Sequence, residues 1–215
     1  MRNSVLFISL AVLAACGTKD PVATDVPKEP EKKREPVRAP AVFKVRMETT
    51  EGPVVVEVHR DWAPRGADHF YTLVSGKFFD GVKFHRVVRD FVAQFGINPN
   101  MQTDQLWRSF ELIDDPVKEK NKRGTLTFAA RGPNTRTTQL FFNLADNSTL
   151  DKDAFVPVGR VLTGMEILDR LTFTYGDLPP RGRGPDPRKI QTLGYGYLAR
   201  EFPRLDTITT AKVVD

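Results

Sequence analysis

The sequence predicts a mainly β fold, a barrel of many short strands with few helices, preceded by an export signal and an unfolded tether. Three observations predict it. Short apolar runs recur from Val42 to Val214, each bounded by Gly, Pro, Asn or Asp. Two stretches alone place apolar residues at helical spacing, and residues 17–40 show no apolar periodicity at all.

The chain has 215 residues, 40% hydrophobic and 27% charged, which is the balance of one domain with appendages. Met1-Arg2-Asn3-Ser4 precedes an uncharged, mostly apolar run, Val5 to Ala15, too short to span a bilayer. Residues 1–15 therefore read as an export signal peptide. Its end, Leu13-Ala14-Ala15-Cys16-Gly17, resembles the lipobox of bacterial lipoproteins, which implies that Cys16 is acylated and becomes the new N-terminus. Cys16 is the only cysteine, so an internal disulfide is excluded. The lipid would hold the protein on a membrane of the bacterial cell envelope, facing the periplasm or the exterior, as an anchor and not as a span. Residues 16–40, rich in Pro, Lys and Glu with prolines at 21, 27, 30, 36 and 40, cannot bury enough apolar surface to fold and read as the tether. The folded domain is expected over 41–215.

Within it, Val42 to Thr49 and Pro53 to His59 flank Thr50-Glu51-Gly52 and read as a hairpin. Asp61-Trp62-Ala63-Pro64 opens a helix in which Ala67, Phe70, Tyr71 and Val74 form the buried stripe, and Gly76 ends it. Strands are expected at Val82 to Val88, Phe91 to Phe95, Thr125 to Ala130, Leu140 to Leu144, Phe155 to Leu162 and Thr207 to Val214, with a second helix from Gly164 to Leu171. Residues 98–123 and the Pro- and Gly-rich region 175–202 read as loops; the latter lacks the Gly-Lys-Ser/Thr of a phosphate loop.

The chemistry lies in two segments. One is Phe84-His85-Arg86-Val87-Val88-Arg89-Asp90-Phe91-Val92-Ala93-Gln94-Phe95-Gly96; the other runs from Thr125-Leu126-Thr127-Phe128-Ala129-Ala130-Arg131 through Thr138-Gln139-Leu140-Phe141-Phe142. Together with Leu150-Asp151, Val158-Gly159-Arg160-Val161 and Gly164-Met165, in that order, they resemble the signature of cyclophilin-type peptidyl-prolyl cis/trans isomerases. The resemblance implies a closed eight-stranded antiparallel barrel capped by two helices, acting on proline-containing polypeptides of exported or envelope proteins.

It also implies the roles. Rotation about an X-Pro amide crosses a barrier of about 18–20 kcal/mol without making or breaking a bond. As the amide twists, the prolyl nitrogen recovers its lone pair, so a fixed cation donating to that nitrogen binds the transition state selectively. Arg86 matches the catalytic arginine, with Gln94 holding its fork and Phe91 beside it. Val92, Phe141 and Leu150 match the walls of the proline socket, and Phe155 takes the place of a histidine. Ala129 and Ala130 match the edge that hydrogen-bonds an extended substrate, with Gln139 close by. Arg131 stands where a small residue is common, which suggests a preference for acidic side chains upstream of proline. Thr149 replaces the tryptophan of cyclosporin-sensitive members.

Other classes fare worse. Net charge is +5, but Lys and Arg are interspersed with Asp and Glu, so nucleic acid is not an expected partner. His59, His69 and His85 fit no helical metal pair, and amide rotation requires no cofactor. A monomer is expected. The alternative left open is a catalytically idle, peptide-binding or scaffolding lipoprotein on the same barrel.

Overall fold

A computed structural model describes residues 37–153 and 155–215; the expected signal peptide, Cys16 and the expected tether up to residue 36 lie outside the described residues. At the near end of the domain, Ala39 is already buried, and its N–H donates to Asp68 Oδ1 at 2.9 Å.

Strands β1 (Val42–Thr49) and β2 (Gly52–His59) pair antiparallel in register from Val42 opposite His59 to Thr49 opposite Gly52. Alternation turns Phe43, Val45 and Met47, with Val54, Val56 and Val58, into the core. Helix α1 (Pro64–Ser75) follows, with proline in its first turn and Gly76 at its end; Ala67, Phe70, Leu73 and Val74 are buried along it. Tyr71 packs at the stripe's margin, edge-on to Phe43.

The next predicted strand, Val82 to Val88, is interrupted. It forms β3 (Val82–Lys83) and β4 (Arg86–Val88), because the chain changes partner at Phe84-His85. Then come β5 (Val92–Phe95), α2 (Met101–Arg108), β6 (Thr125–Phe128), β7 (Leu140–Asn143), a 3-10 turn (Ser148–Asp153), β8 (Pro157–Thr163), α3 (Met165–Arg170), α4 (Pro187–Leu193), α5 (Tyr195–Glu201) and β9 (Thr207–Val214). All pair antiparallel in the order β3-β9-β1-β2-β8-β6-β7-β5-β4. The two outermost strands are consecutive in sequence, separated by two residues, so the curled sheet closes through the chain itself. Counting β3 and β4 as one broken strand leaves eight around the barrel.

Phe70, Phe79, Phe84, Phe95, Phe128 and Phe142 fill the interior and are fully buried. A second, smaller cluster joins Ile97 to Ile190, Tyr197, Leu198, Phe202 and Leu205.

Two expected loops are partly helical. In 98–123, α2 begins where Asn100 accepts the Thr103 N–H at 2.9 Å; its only buried residue is Asp104, so no apolar stripe marked it. In 175–202, Asp186 caps α4, Pro187 opens it, and Gly194 at φ 67° turns the chain into α5. Each of these two helices has seven residues, too few to show a period.

Candidate active site

The β4–β5 hairpin turns at Asp90, at φ 56°, and its register sets Arg86 opposite Gln94. The Arg86 Nη1 donates to Gln94 Oε1 at 3.1 Å, and Gln94 Nε2 donates to Gln139 Oε1 at 2.9 Å. Gln94 also stands opposite Phe141 on β7, so one row across three strands carries arginine, amide and aromatic ring. The Arg86 guanidinium carbon lies 5.4 Å from the Phe91 ring centroid. Phe141 meets Phe155 edge to face at 5.9 Å.

These contacts bring Arg86, Phe91, Gln94, Gln139, Phe141 and Phe155 together, with differences in what the expected site residues expose. Arg86, Phe91, Gln139, Leu150 and Phe155 are half-buried, whereas Val92 and Phe141 are 2% and 4% exposed. Beyond β6, the Ala129 N–H is taken by Gln139 O at 2.9 Å. Among the described residues, the Ala129 carbonyl and the Ala130 N–H have no hydrogen-bond partner, leaving a short open edge. Arg131 is exposed past that edge, and its N–H is held by Thr135 Oγ1 at 2.9 Å.

Electrostatics beside the site are set by burial. His85, adjacent to Arg86, is fully buried; burial first, then the Arg86 charge, holds its pKa down to about 4. The residue next to the arginine is therefore neutral at physiological pH.

Two sets of supporting residues escaped the sequence reading. Asp177 accepts from Arg86 Nε at 2.7 Å, across 91 positions of sequence, from a loop with no periodicity to signal it. A buried polar network holds the segment carrying Leu150 and Phe155: Asn121 Nδ2 donates to Phe155 O at 2.8 Å and to Asp151 Oδ1 at 3.0 Å. Asn143 Nδ2 donates to Thr125 Oγ1 at 2.8 Å, and Asn147 Nδ2 donates to Phe91 O at 2.8 Å. The density of asparagines between 121 and 147 was the available signal.

The three histidines occupy separate settings. His59 pairs with Glu57 at 2.8 Å and stacks on Trp62, His69 packs against Trp107 and Phe128, and His85 lies under the site.

A curled antiparallel barrel sheet that carries a doubly held arginine, neighbouring aromatic rings and a short free strand edge has a surface on which an extended peptide can lie. The family model "Cyclophilin type peptidyl-prolyl cis-trans isomerase/CLD" matches residues 44–185. Among curated proteins, the chain is 32% identical over 130 residues to peptidyl-prolyl cis-trans isomerase ppi1 of Schizosaccharomyces pombe, covering 59% of this chain and 83% of that one. It is 32% identical over 148 residues to a peptidyl-prolyl cis-trans isomerase of Acinetobacter baylyi, covering 61% and 75% respectively. A crystal structure of a Cryptosporidium parvum cyclophilin type isomerase shares the fold, with a TM-score of 0.58 at 18% identity over 81% of this chain and 98% of that one. The chain belongs to the cyclophilin-type peptidyl-prolyl cis-trans isomerases. It is an isomerase that acts on proline-containing peptides.

Proposed function

We propose that Arg86 is the catalytic residue of this isomerase and that catalysis is selective stabilisation of the twisted X-Pro amide. The observation that carries this is the row Arg86–Gln94–Gln139, hydrogen-bonded in sequence beside the Phe91, Phe141 and Phe155 rings. The substrate adds as an extended segment along Ala129 and Ala130, and proline enters between the rings. Planar amide offers its nitrogen no lone pair to bind; the twisted amide does. A guanidinium donor already in place therefore binds the transition state more strongly than the ground state, and no solvent reorganisation is needed when the lone pair appears. Val92 and Leu150 complete the socket wall. Arg131 biases the site toward acidic side chains before proline, which a paired series of acidic and basic peptides would reveal as unequal kcat/KM.

The test compares isomerisation of a short X-Pro peptide by the wild type and by Arg86→Ala. Turnover should fall at least about tenfold, a loss of about 1.4 kcal/mol or more in transition-state binding, with circular dichroism unchanged. Unaltered turnover in a folded variant would remove Arg86 from the mechanism.

The place of action is inferred from sequence. The run Val5 to Ala15 followed by Cys16 supports export and acylation, so the enzyme assists folding of exported or envelope proteins from the surface of a bacterial membrane. Cys16→Ser should move the protein from the membrane fraction to the soluble fraction; unchanged fractionation would rule out the lipid.

A further inference from the structure

We infer that Asp177 is a positioning residue for Arg86, delivered by the segment between α3 and β9 to hold the guanidinium in its working orientation. This rests on the role proposed for Arg86 above. The guanidinium is gripped at two different nitrogens: Nε donates to Asp177 Oδ1 at 2.7 Å, and Nη1 donates to Gln94 Oε1 at 3.1 Å. Two such contacts fix both the position and the plane of the fork. Among the described residues, Nη2 has no hydrogen-bond partner, so it is left to donate to substrate.

The contact is not a solvated surface pair, because the Arg86 and Asp177 side chains are only 15% and 18% exposed. Burial works against the Asp177 charge, but the Arg86 and Leu178 hydrogen bonds hold its carboxyl below the usual range.

The loop around Asp177 is itself built to be rigid. The Leu178 N–H donates to Asp177 Oδ1 at 2.7 Å, the Gly184 N–H donates to Asp177 O at 2.9 Å, and the Arg183 N–H donates to Tyr175 O at 3.2 Å. Gly182 passes so close that a Cβ there would lie 2.1 Å from Asp177 O and 2.5 Å from its N. Tyr175 then anchors the loop edge-on against Phe202 at 5.1 Å, in the smaller core cluster. The loop and helices between α3 and β9 thus have a task beyond covering the barrel.

An arginine fixed only by Gln94 would have to be reoriented in each transition state; one fixed twice would not. The loss on removing Asp177 should appear in kcat, not KM.

The experiment measures kcat and KM for a short X-Pro peptide, with thermal melts in parallel, on full-chain Asp177→Ala, Asp177→Asn, Gly182→Ala, Arg86→Ala and the double variant Arg86→Ala/Asp177→Ala. Asp177→Ala should lower kcat about tenfold with KM within about twofold. Asp177→Asn, which keeps an acceptor without the charge, should fall in between. Gly182→Ala, which keeps the carboxylate but displaces it, should resemble Asp177→Ala. In the Arg86→Ala background, removing Asp177 should change nothing further. Wild-type or raised turnover in Asp177→Ala would overturn the inference, the latter by making the contact an obstruction. So would an equal further loss in the Arg86→Ala background, which would make the loop merely structural. Should Arg86→Ala itself be fully active, the Arg86 reading fails and this inference with it; a slow Arg86→Ala beside a fast Asp177→Ala sinks the inference alone.

Discussion

The Arg136 guanidinium, 1% exposed, lies 3.0 Å from the fully buried Asp115 carboxylate, fixing it at the N-terminus of α1. That carboxylate accepts the N–H groups of Arg65 and Gly66, each at 2.9 Å, at a helix start where Ala63 offers no side-chain cap. Nη2 of Arg136 also donates to Ile113 O at 2.6 Å, tying the loop before β6 to the helix.

Removing one partner of a buried ion pair strands the other charge without water. Arg136→Ala should therefore destabilise the domain by about 3–5 kcal/mol, read as a lowered urea midpoint at unchanged slope. Arg65, 54% exposed and 3.9 Å from the same carboxylate, is the control: Arg65→Ala should cost less than about 1 kcal/mol. Similar midpoints for the two variants would contradict this account.

Acid lability follows from two histidines. Burial lowers His69 to about 4, aided by the nearby Arg136 charge, and burial with the Arg86 charge does the same for His85. Both bind protons in the unfolded chain near the ordinary value of 6.5, before they can in the fold. Their contribution is complete above that value and is lost as pH falls from there toward 4. Each removes roughly 1.4 kcal/mol per pH unit within this window. Asp104, whose carboxyl is pushed up by burial, works in the opposite sense and softens the slope. Urea unfolding at pH 7, 6 and 5 should show stability dropping by roughly 2 kcal/mol per unit below about pH 6. A flat profile would mean that these imidazoles titrate normally in the fold.

What the sequence disclosed depended on range. The β1–β2 hairpin was legible because alternation and a glycine turn act locally, as was α1 between Pro64 and Gly76. Arg86 and Gln94 were legible as a pair because a tight hairpin lets eight positions of sequence fix a cross-strand contact. Asp177 reaches the same arginine through a loop ordered by glycines and a distant aromatic, and no local pattern encodes that. Helices α2, α4 and α5 were missed for a related reason: they are short, and α4 and α5 bury only Ile190, Tyr197 and Leu198, against a small satellite cluster. The interruption at Phe84-His85 depends on β3 and β4 having different partners, a property of barrel closure and not of the run itself.

Cyclosporin should bind weakly. Thr149 is exposed in the 3-10 turn on the segment leading to Phe155, where it presents neither the area nor the N–H donor of an indole. Isomerase assays should show no inhibition below about 1 µM, a threshold equivalent to about 8 kcal/mol of binding. Potent inhibition would require another surface to replace that contact.

Asn121 separates socket from catalytic centre experimentally. It is 1% exposed, its Nδ2 holds Phe155 O and Asp151, and its Oδ1 accepts from Thr127 Oγ1 at 2.9 Å and Asn143 Nδ2 at 3.2 Å. Strands β6 and β7 are thereby linked to the segment that carries Leu150 and Phe155. Asn121→Ala leaves several of these groups unpaired, at about 1–3 kcal/mol each when they stay buried, so a net loss of about 2–4 kcal/mol is expected. The freed segment would hold the proline less firmly in ground state and transition state alike, which raises KM and leaves kcat within about twofold. Arg86→Ala should do the reverse, because its donor acts only when the amide has twisted. If Asn121→Ala lowered stability without moving KM, the network would serve the barrel alone, and Phe155 would keep its place through its edge-on contact with Phe141.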